Sequence, residues 1–355
     1  MRIEQMVIVG FVGALATSCT SSIVDSRSEA GSSAASSSAS SSSSSGGDVS
    51  PKAPITLAEG LPDPSEIVAD ETSIYWSNRG TSVDGMYPLH DGSIVKLSYA
   101  GGGQVVLIDG IDVATIAADS AYVYWIDGKA IRRIAKTGGA KDIVAVDGET
   151  PHWLAVDATD VYWATSGGSI AKAPKQGGPI TILSPPNEAL NLRKIAVDAT
   201  DVYCADLGDF TTPAPTGTLW KVAKSGGALV NIASAQAGPW AVAVDDGAVY
   251  WSTIGPLTDI SDKLVGAVFK VAKSGGAPVL VADGQRTIYD LALAGGSLFW
   301  GNYASGPMLK VDAQSGVSTV VAADQTVSSV AVGPDFVYWV VPYANGGGMI
   351  RAAAR

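Results

Sequence analysis

The chain has 355 residues and a formal net charge of −11, long enough for a large buried core. An acidic surface repels a phosphate backbone, which argues against nucleic acid as a partner. Only two cysteines are present, Cys19 and Cys204, so there is no disulfide framework. Forty-one glycines among many short hydrophobic runs indicate an all-β chain with tight turns.

At the amino end, residues 1–19 carry Arg2, an uncharged apolar stretch over 6–16, and then small residues before Cys19. The stretch is short for a bilayer span, which needs about 20 residues, and fits the hydrophobic region of a secretory signal. The run LATSC at 15–19 resembles the bacterial lipobox, although Ala16 stands where Leu is usual three residues before the cysteine. Lipidation at Cys19 is the expectation; cleavage without lipidation and a retained anchor are the alternatives. Residues 20–52 follow as a linker. Positions 32–45 are all serine or alanine, a composition that buries too little apolar surface to offset its ordering entropy.

From residue 53 to 355 one unit repeats. Its marker is an aromatic triplet: IYW at 74–76, VYW at 123–125, VYW at 161–163, VYC at 202–204, VYW at 249–251, LFW at 298–300 and VYW at 337–339. The intervals match the blade length of a β-propeller, about 40–50 residues. Each unit divides into four short runs rich in Val, Ile, Tyr and Trp. These are a small-residue strand such as IAVD at 195–198, the aromatic strand, a third like VFKVAKS at 268–274, and a fourth like PVLVAD at 278–283. The last unit ends at MIRAAAR, 349–355, a third strand with no fourth after it. ITLAEG at 55–60 is a fourth strand with no first three before it. The predicted fold is therefore an all-β, seven-bladed β-propeller with four-stranded antiparallel blades, closed by an N-terminal outer strand that completes the last blade.

Residue choices agree with that geometry. Ala155, Ala196, Ala243 and Ala331 provide the small side chains needed near the axis, while Trp76, Trp125, Trp163, Trp251, Trp300 and Trp339 fill the wider space further out. Cys204 takes the same place in the fourth blade and reads as a buried thiol. KTGG at 136–139, KQGG at 175–178, and KSGG at 224–227 and 273–276 read as hairpin turns rather than phosphate cradles, because they recur with the blade and precede no helix. Asp119, Asp157, Asp198 and Asp245 recur once per blade as acceptors of local backbone hydrogen bonds. The AVDxxxVYW, GxIxK and KxGG pattern over 53–355 resembles the YWTD, NHL and TolB-like propellers, and especially propeller lipoproteins of myxobacteria. Ala164 and Ser252 follow their tryptophans where the YWTD pattern has Thr-Asp, so receptor-like ligand binding is not implied.

Function is expected where the repeat is broken. The connection between second and third strands is long at 77–92, 205–217 and 252–266, and these inserts should share one rim, where a rigid scaffold commonly carries binding. They offer Asp84, Tyr87, His90, Asp91, Asp206, Asp209, Phe210, Asp259, Asp262 and Lys263, with Tyr303 and Tyr343 from shorter loops. Carboxylates among aromatics could hold an envelope or extracellular protein, a peptide, a glycan or a calcium ion. No other cofactor is expected. The resemblance raises propeller lyases and lactonases, which converge several polar or histidine side chains on the channel, whereas here the first strands supply mainly alanine and valine. His90 and His152 are the sole histidines, and no HExxH or GxSxG occurs. The expectation is a monomeric binding or scaffolding protein of the cell envelope, held to a membrane by its lipid. An architectural role and a metal-dependent lyase or hydrolase are the alternatives.

Overall fold

A computed structural model describes residues 53–81, 90–113, 115–209, 216–255, 266–303, 305–342 and 347–355. Seven four-stranded antiparallel sheets follow one another along the chain, six of them in simple sequence order. The inner strands of blades one to seven are Pro64–Ala69, Ile116–Ala118, Pro151–Val156, Leu192–Val197, Pro239–Val244, Ala292–Ala294 and Ser329–Val332. The seventh sheet takes its outer strand, Ile55–Leu61, from the amino end. That strand pairs antiparallel with Gly348–Ala354, setting Ile55 opposite Ala352 and Leu61 opposite Gly348. The expected clasp is present, and the ring has seven blades.

An ordinary two-layer sheet buries one face, so its strands alternate between core and solvent. Here each blade stacks on a neighbour at both faces, and the second strands are buried almost throughout: Ser73–Asn78 along its whole length, Asp160–Thr165 at all but its first residue. The aromatic triplet follows from this. Between blades one and two Tyr75 meets Trp125, between two and three Tyr124 meets Trp163, and the ring closes with Tyr338 of blade seven against Trp76 of blade one. Within each triplet the middle ring packs forward onto the next blade and the tryptophan packs back onto the previous one. All six tryptophans are fully buried. In the fourth blade Cys204 replaces the tryptophan, and Trp220, directly opposite it on the third strand, packs against the same cluster. The thiol is free and buried, and burial pushes its pKa far above the ordinary range, as expected of a small apolar side chain rather than a nucleophile.

The turn residues behave as their chemistry requires. Both glycines of each KxGG turn have positive φ, for example 83° at Gly138 and 116° at Gly139, a region open to glycine at little cost. The recurrent aspartates do accept local backbone hydrogen bonds: one oxygen of Asp119 takes the N–H groups of Ala121 and Tyr122, both at 2.8 Å.

Candidate binding site at the channel mouth

Each inner strand enters the ring from the face where one blade links to the next. Just after the second strand, the backbone bonds back to the residues leading into the inner strand. Arg79 N donates to Asp63 O at 3.0 Å, Leu207 N to Asn191 O at 3.0 Å, Ile254 N to Gly238 O at 2.9 Å and Tyr303 N to Thr287 O at 2.8 Å. The described ends of the connections 77–92, 205–217 and 252–266 therefore leave the sheets on this same face.

At this end the inner strands are irregular. Their pairing with the second strand slips between Pro64 and Ile67, His152 and Leu154, Leu192 and Ile195, and Pro239 and Val242. Extra residues in a bulge leave the ladder, and their side chains are re-aimed. Trp153, the unpaired residue of its bulge, has φ of +46°, a left-handed conformation that costs a bulky residue about 1–3 kcal/mol. The bulges supply Glu66, Trp153, Arg193, Lys194 and Trp240, and the segment leading into blade six adds Tyr289 and Asp290.

Three of these meet across the axis. Lys194 Nζ donates to Glu66 Oε1 at 2.7 Å and to Asp290 Oδ1 at 2.8 Å. The second oxygens are also taken: Glu66 Oε2 accepts from Ile116 N at 2.8 Å, and Asp290 Oδ2 from Ser329 Oγ at 2.7 Å and Val330 N at 3.0 Å. Burial works against the ammonium, but the charges of Asp290 and Glu66 and the hydrogen bonds to them outweigh it and raise its pKa. Lys194 is thus a fixed cation, neither a base nor a nucleophile at neutral pH. Glu66, Lys194 and Asp290 line a cavity of about 360 Å³ whose remaining wall is mostly aliphatic, including Val68, Ala117 and Val332. This corrects the expectation of inner strands bearing mainly alanine and valine. That composition holds along the body of each strand, and the bulged entries, where the repeat lapses, put charge into the channel.

Beyond the ion bridge lies an aromatic run. Trp153 meets Trp240 edge-on with centroids 6.3 Å apart, Trp240 meets Tyr289 at 4.9 Å, and Tyr289 meets Tyr303 at 4.8 Å. The Arg193 guanidinium lies 4.7 Å from the Trp240 centroid. Its Nε and the Trp240 Nε1 are shielded from solvent without hydrogen-bond partners. Burial lowers the Arg193 pKa, while Asp206 and Tyr289 act on it only through space in the opposite sense. His152 is also lowered, first by burial and then by the charge of Arg193, and is neutral at neutral pH. Together these groups bring aromatic rings beside one positively charged guanidinium.

Of the residues expected on the rim, Tyr303 joins this cluster. Asp206 lies beneath it, buried, its carboxylate accepting from Asn191 N at 2.8 Å, Gly208 N at 3.1 Å and Trp220 Nε1 at 3.3 Å. Asp209 donates its backbone N–H to Thr216 Oγ1 at 2.6 Å. In the first insert His90 Nδ1 is 2.7 Å from Asp112, and Asp91 accepts from Thr81 N and Oγ1 at 2.8 and 2.7 Å. Asp84, Tyr87, Phe210, Asp259, Asp262, Lys263, Tyr343 and Cys19 lie outside the described residues. His152, which the repeat places in a link between blades, lies instead inside the inner strand Pro151–Val156, and Glu66, Trp153, Arg193, Lys194, Trp240, Tyr289 and Asp290 do not stand out in the sequence as a group. Their signal is nevertheless present: in five of the seven blades the two residues before the inner-strand core read SE, HW, RK, WA and YD at 65–66, 152–153, 193–194, 240–241 and 289–290. No two of these pairs are alike, although the flanking strand repeats.

No protein-family model matches the sequence, and no curated protein matches it. Solved structures do. A chain of a nidogen/laminin complex aligns with TM-score 0.51 and 16% identity, covering 66% of this chain and 90% of its own. A puromycin-hydrolysing peptidase of Mycobacterium tuberculosis gives TM-score 0.60 at 12% identity, over 78% of this chain and 48% of the peptidase. The computationally designed protein Ika8 gives 0.55 at 13%, over 84% of this chain and 98% of its own. The likeness is one of fold.

Proposed function

We propose that this chain is an exported, lipid-anchored binding protein of the cell envelope that holds its ligand at the channel mouth, on the face bearing the long loops. The supporting observation is the concentration of unlike residues at the bulged inner-strand entries. A scaffold that repeats everywhere else carries there an aromatic run, a strained tryptophan and a guanidinium without a counter-ion among the described residues. Strain and unsatisfied polar groups are retained where they serve a site, and concave aromatic surfaces with few polar groups suit ligands.

The test is capture from envelope extract by the full exported chain and by a Trp240→Ala/Tyr303→Ala variant whose circular dichroism matches the wild type. Species retained by the wild type should be lost from the variant; equal retention would remove the channel mouth as the binding face. The anchor is tested separately by fractionation. Cys19→Ala should move the protein from the membrane to the soluble exported fraction, and unchanged membrane association would refute lipidation at this cysteine.

A further inference from the structure

We infer that Arg193 is the anchor for a single carboxylate, carried by a ligand whose ring lies against the Trp153–Trp240–Tyr289–Tyr303 run. The inference rests on the binding face proposed above and names the chemistry of its occupant.

The first ground is charge accounting. Lys136, Lys175, Lys194 and Lys224 have side-chain exposures of 8, 7, 15 and 15%, and each meets a carboxylate at 2.8 Å or less. Shielded charges are costly unless paired, and these four are paired with carboxylates. Arg193 is not. It lies on an indole face, its Nε has no partner, and among the described residues no carboxylate forms an ion pair with it. Asp206, the acidic group that acts on it through space, is committed to Asn191, Gly208 and Trp220. Among the described residues the counter-charge is therefore missing, and an incoming molecule can supply it.

The second ground selects the anion. Beside the guanidinium stands His152, which burial and Arg193 keep neutral, so within this cluster Arg193 is the charged group. Lys194, below, is already shared between two carboxylates. A doubly charged phosphate or sulfate would find no second cation within the His152, Trp153, Arg193, Trp240, Tyr289 and Tyr303 cluster, and a polyanion would meet the field of a chain with net charge −11. A lone carboxylate matches a planar guanidinium, which can give it two parallel N–H bonds. The ring requirement follows from the aromatic faces next to Arg193, which favour flat apolar surfaces over an extended polar backbone. An acidic sugar and an aromatic acid share this chemistry.

The full chain is titrated with glucuronate, glucose, benzoate and benzyl alcohol, and binding is read by calorimetry and by the fluorescence of the mouth tryptophans. At least one carboxylate should bind about tenfold or more tightly than its neutral counterpart, as expected for hydrogen bonds to a charged group. Glucuronate alone identifies a sugar acid, and benzoate alone an aromatic acid. Arg193→Lys keeps the charge without the fork and should lose about tenfold; Arg193→Gln should abolish the preference for the carboxylate. Equal binding of acid and neutral partner, no binding of either acid, or unchanged affinity in Arg193→Gln would overturn the inference. If Trp240→Ala/Tyr303→Ala still loses its captured species in that event, the binding face stands and only the carboxylate falls.

Discussion

At the scale of single residues, the Asp of one blade and the Lys of the next form the recurring tie of the ring. Asp119 shows the pattern: one oxygen caps the turn, and the other accepts from Tyr124 Oη at 2.8 Å and from Lys175 Nζ of the following blade at 2.7 Å. Asp70 with Lys136, Asp157 with Lys224 and Asp198 with Lys273 repeat it. At the closing interface both partners change together: Gly333 stands where the aspartate would be, and Tyr99 stands where the lysine would be and stacks on Tyr338 at 5.6 Å. A Cβ at position 333 would come within 2.6 Å of the Tyr99 hydroxyl, so the two substitutions are one fit. The ties make stability depend on pH. Burial raises the Asp70 and Asp119 pKa values, but hydrogen bonds to Lys136 and Lys175 and to turn N–H groups outweigh it, and both fall from 3.8 to about 2. Asp157 and Asp198 are lowered further for the same reasons. A carboxylate depressed in the folded state adds stability above its unfolded pKa and loses it as pH falls through the folded value. Thermal midpoints should thus hold from pH 6 to about 4 and drop steeply towards 2. Lys175→Met leaves Asp119 shielded without its cation and should cost on the order of 3 kcal/mol at pH 7, with a shallower acid slope. A slope equal to the wild type's would show that the tie carries no linkage.

At the scale of elements, what the sequence revealed and what it hid have distinct physical causes. The strands were legible because each is short, β-branched or aromatic, and repeated seven times, so one ambiguous copy is corrected by six others. The triplet at 161–163 and its relatives located every second strand. The KxGG turns located hairpins, although their lysines gave no sign of reaching the neighbouring blade; that contact is between units and has no spacing along the chain. The site was less legible. Loops of unusual length drew attention because length is visible in one dimension, and Tyr303 was found because a shorter loop shares their rim. Most of the channel-mouth residues lie inside strands of ordinary length, and Tyr289 and Asp290 just before one. Only a slip in pairing at Leu192–Ile195 or Pro239–Val242 turns them out of the ladder, and a slip is a relation between two strands. Lys194, Glu66 and Asp290 come from blades four, one and six. Nothing local announces that residues so far apart in sequence share a hydrogen-bonded bridge; closing the ring is what creates it.

For the whole molecule, everything at the channel mouth depends on closure. The bridge joins blades on opposite sides of the ring, and Ser329 of blade seven supports Asp290 of blade six, so a ring opened at the seventh blade would separate the groups that fix the site. The outer strand Ile55–Leu61 resists that opening in two ways. It covers the backbone edge of Gly348–Ala354, which would otherwise be free to pair with another chain. It also sends Ala58 and Leu61 into the cluster shared by blades seven and one, beside Trp76 and Tyr338. A chain lacking residues 53–61 should keep most of its β-structure, because six blades remain complete. It should melt lower, on the order of 5 °C, and associate as concentration rises, detectable by light scattering. A synthetic peptide of residues 53–63, added in trans, should reverse both changes by re-forming the pairs of Ile55 with Ala352 and Ala58 with Ile350. Melting at the wild-type temperature with no association would mean that inter-blade packing alone closes the ring and that the strand is only its covering.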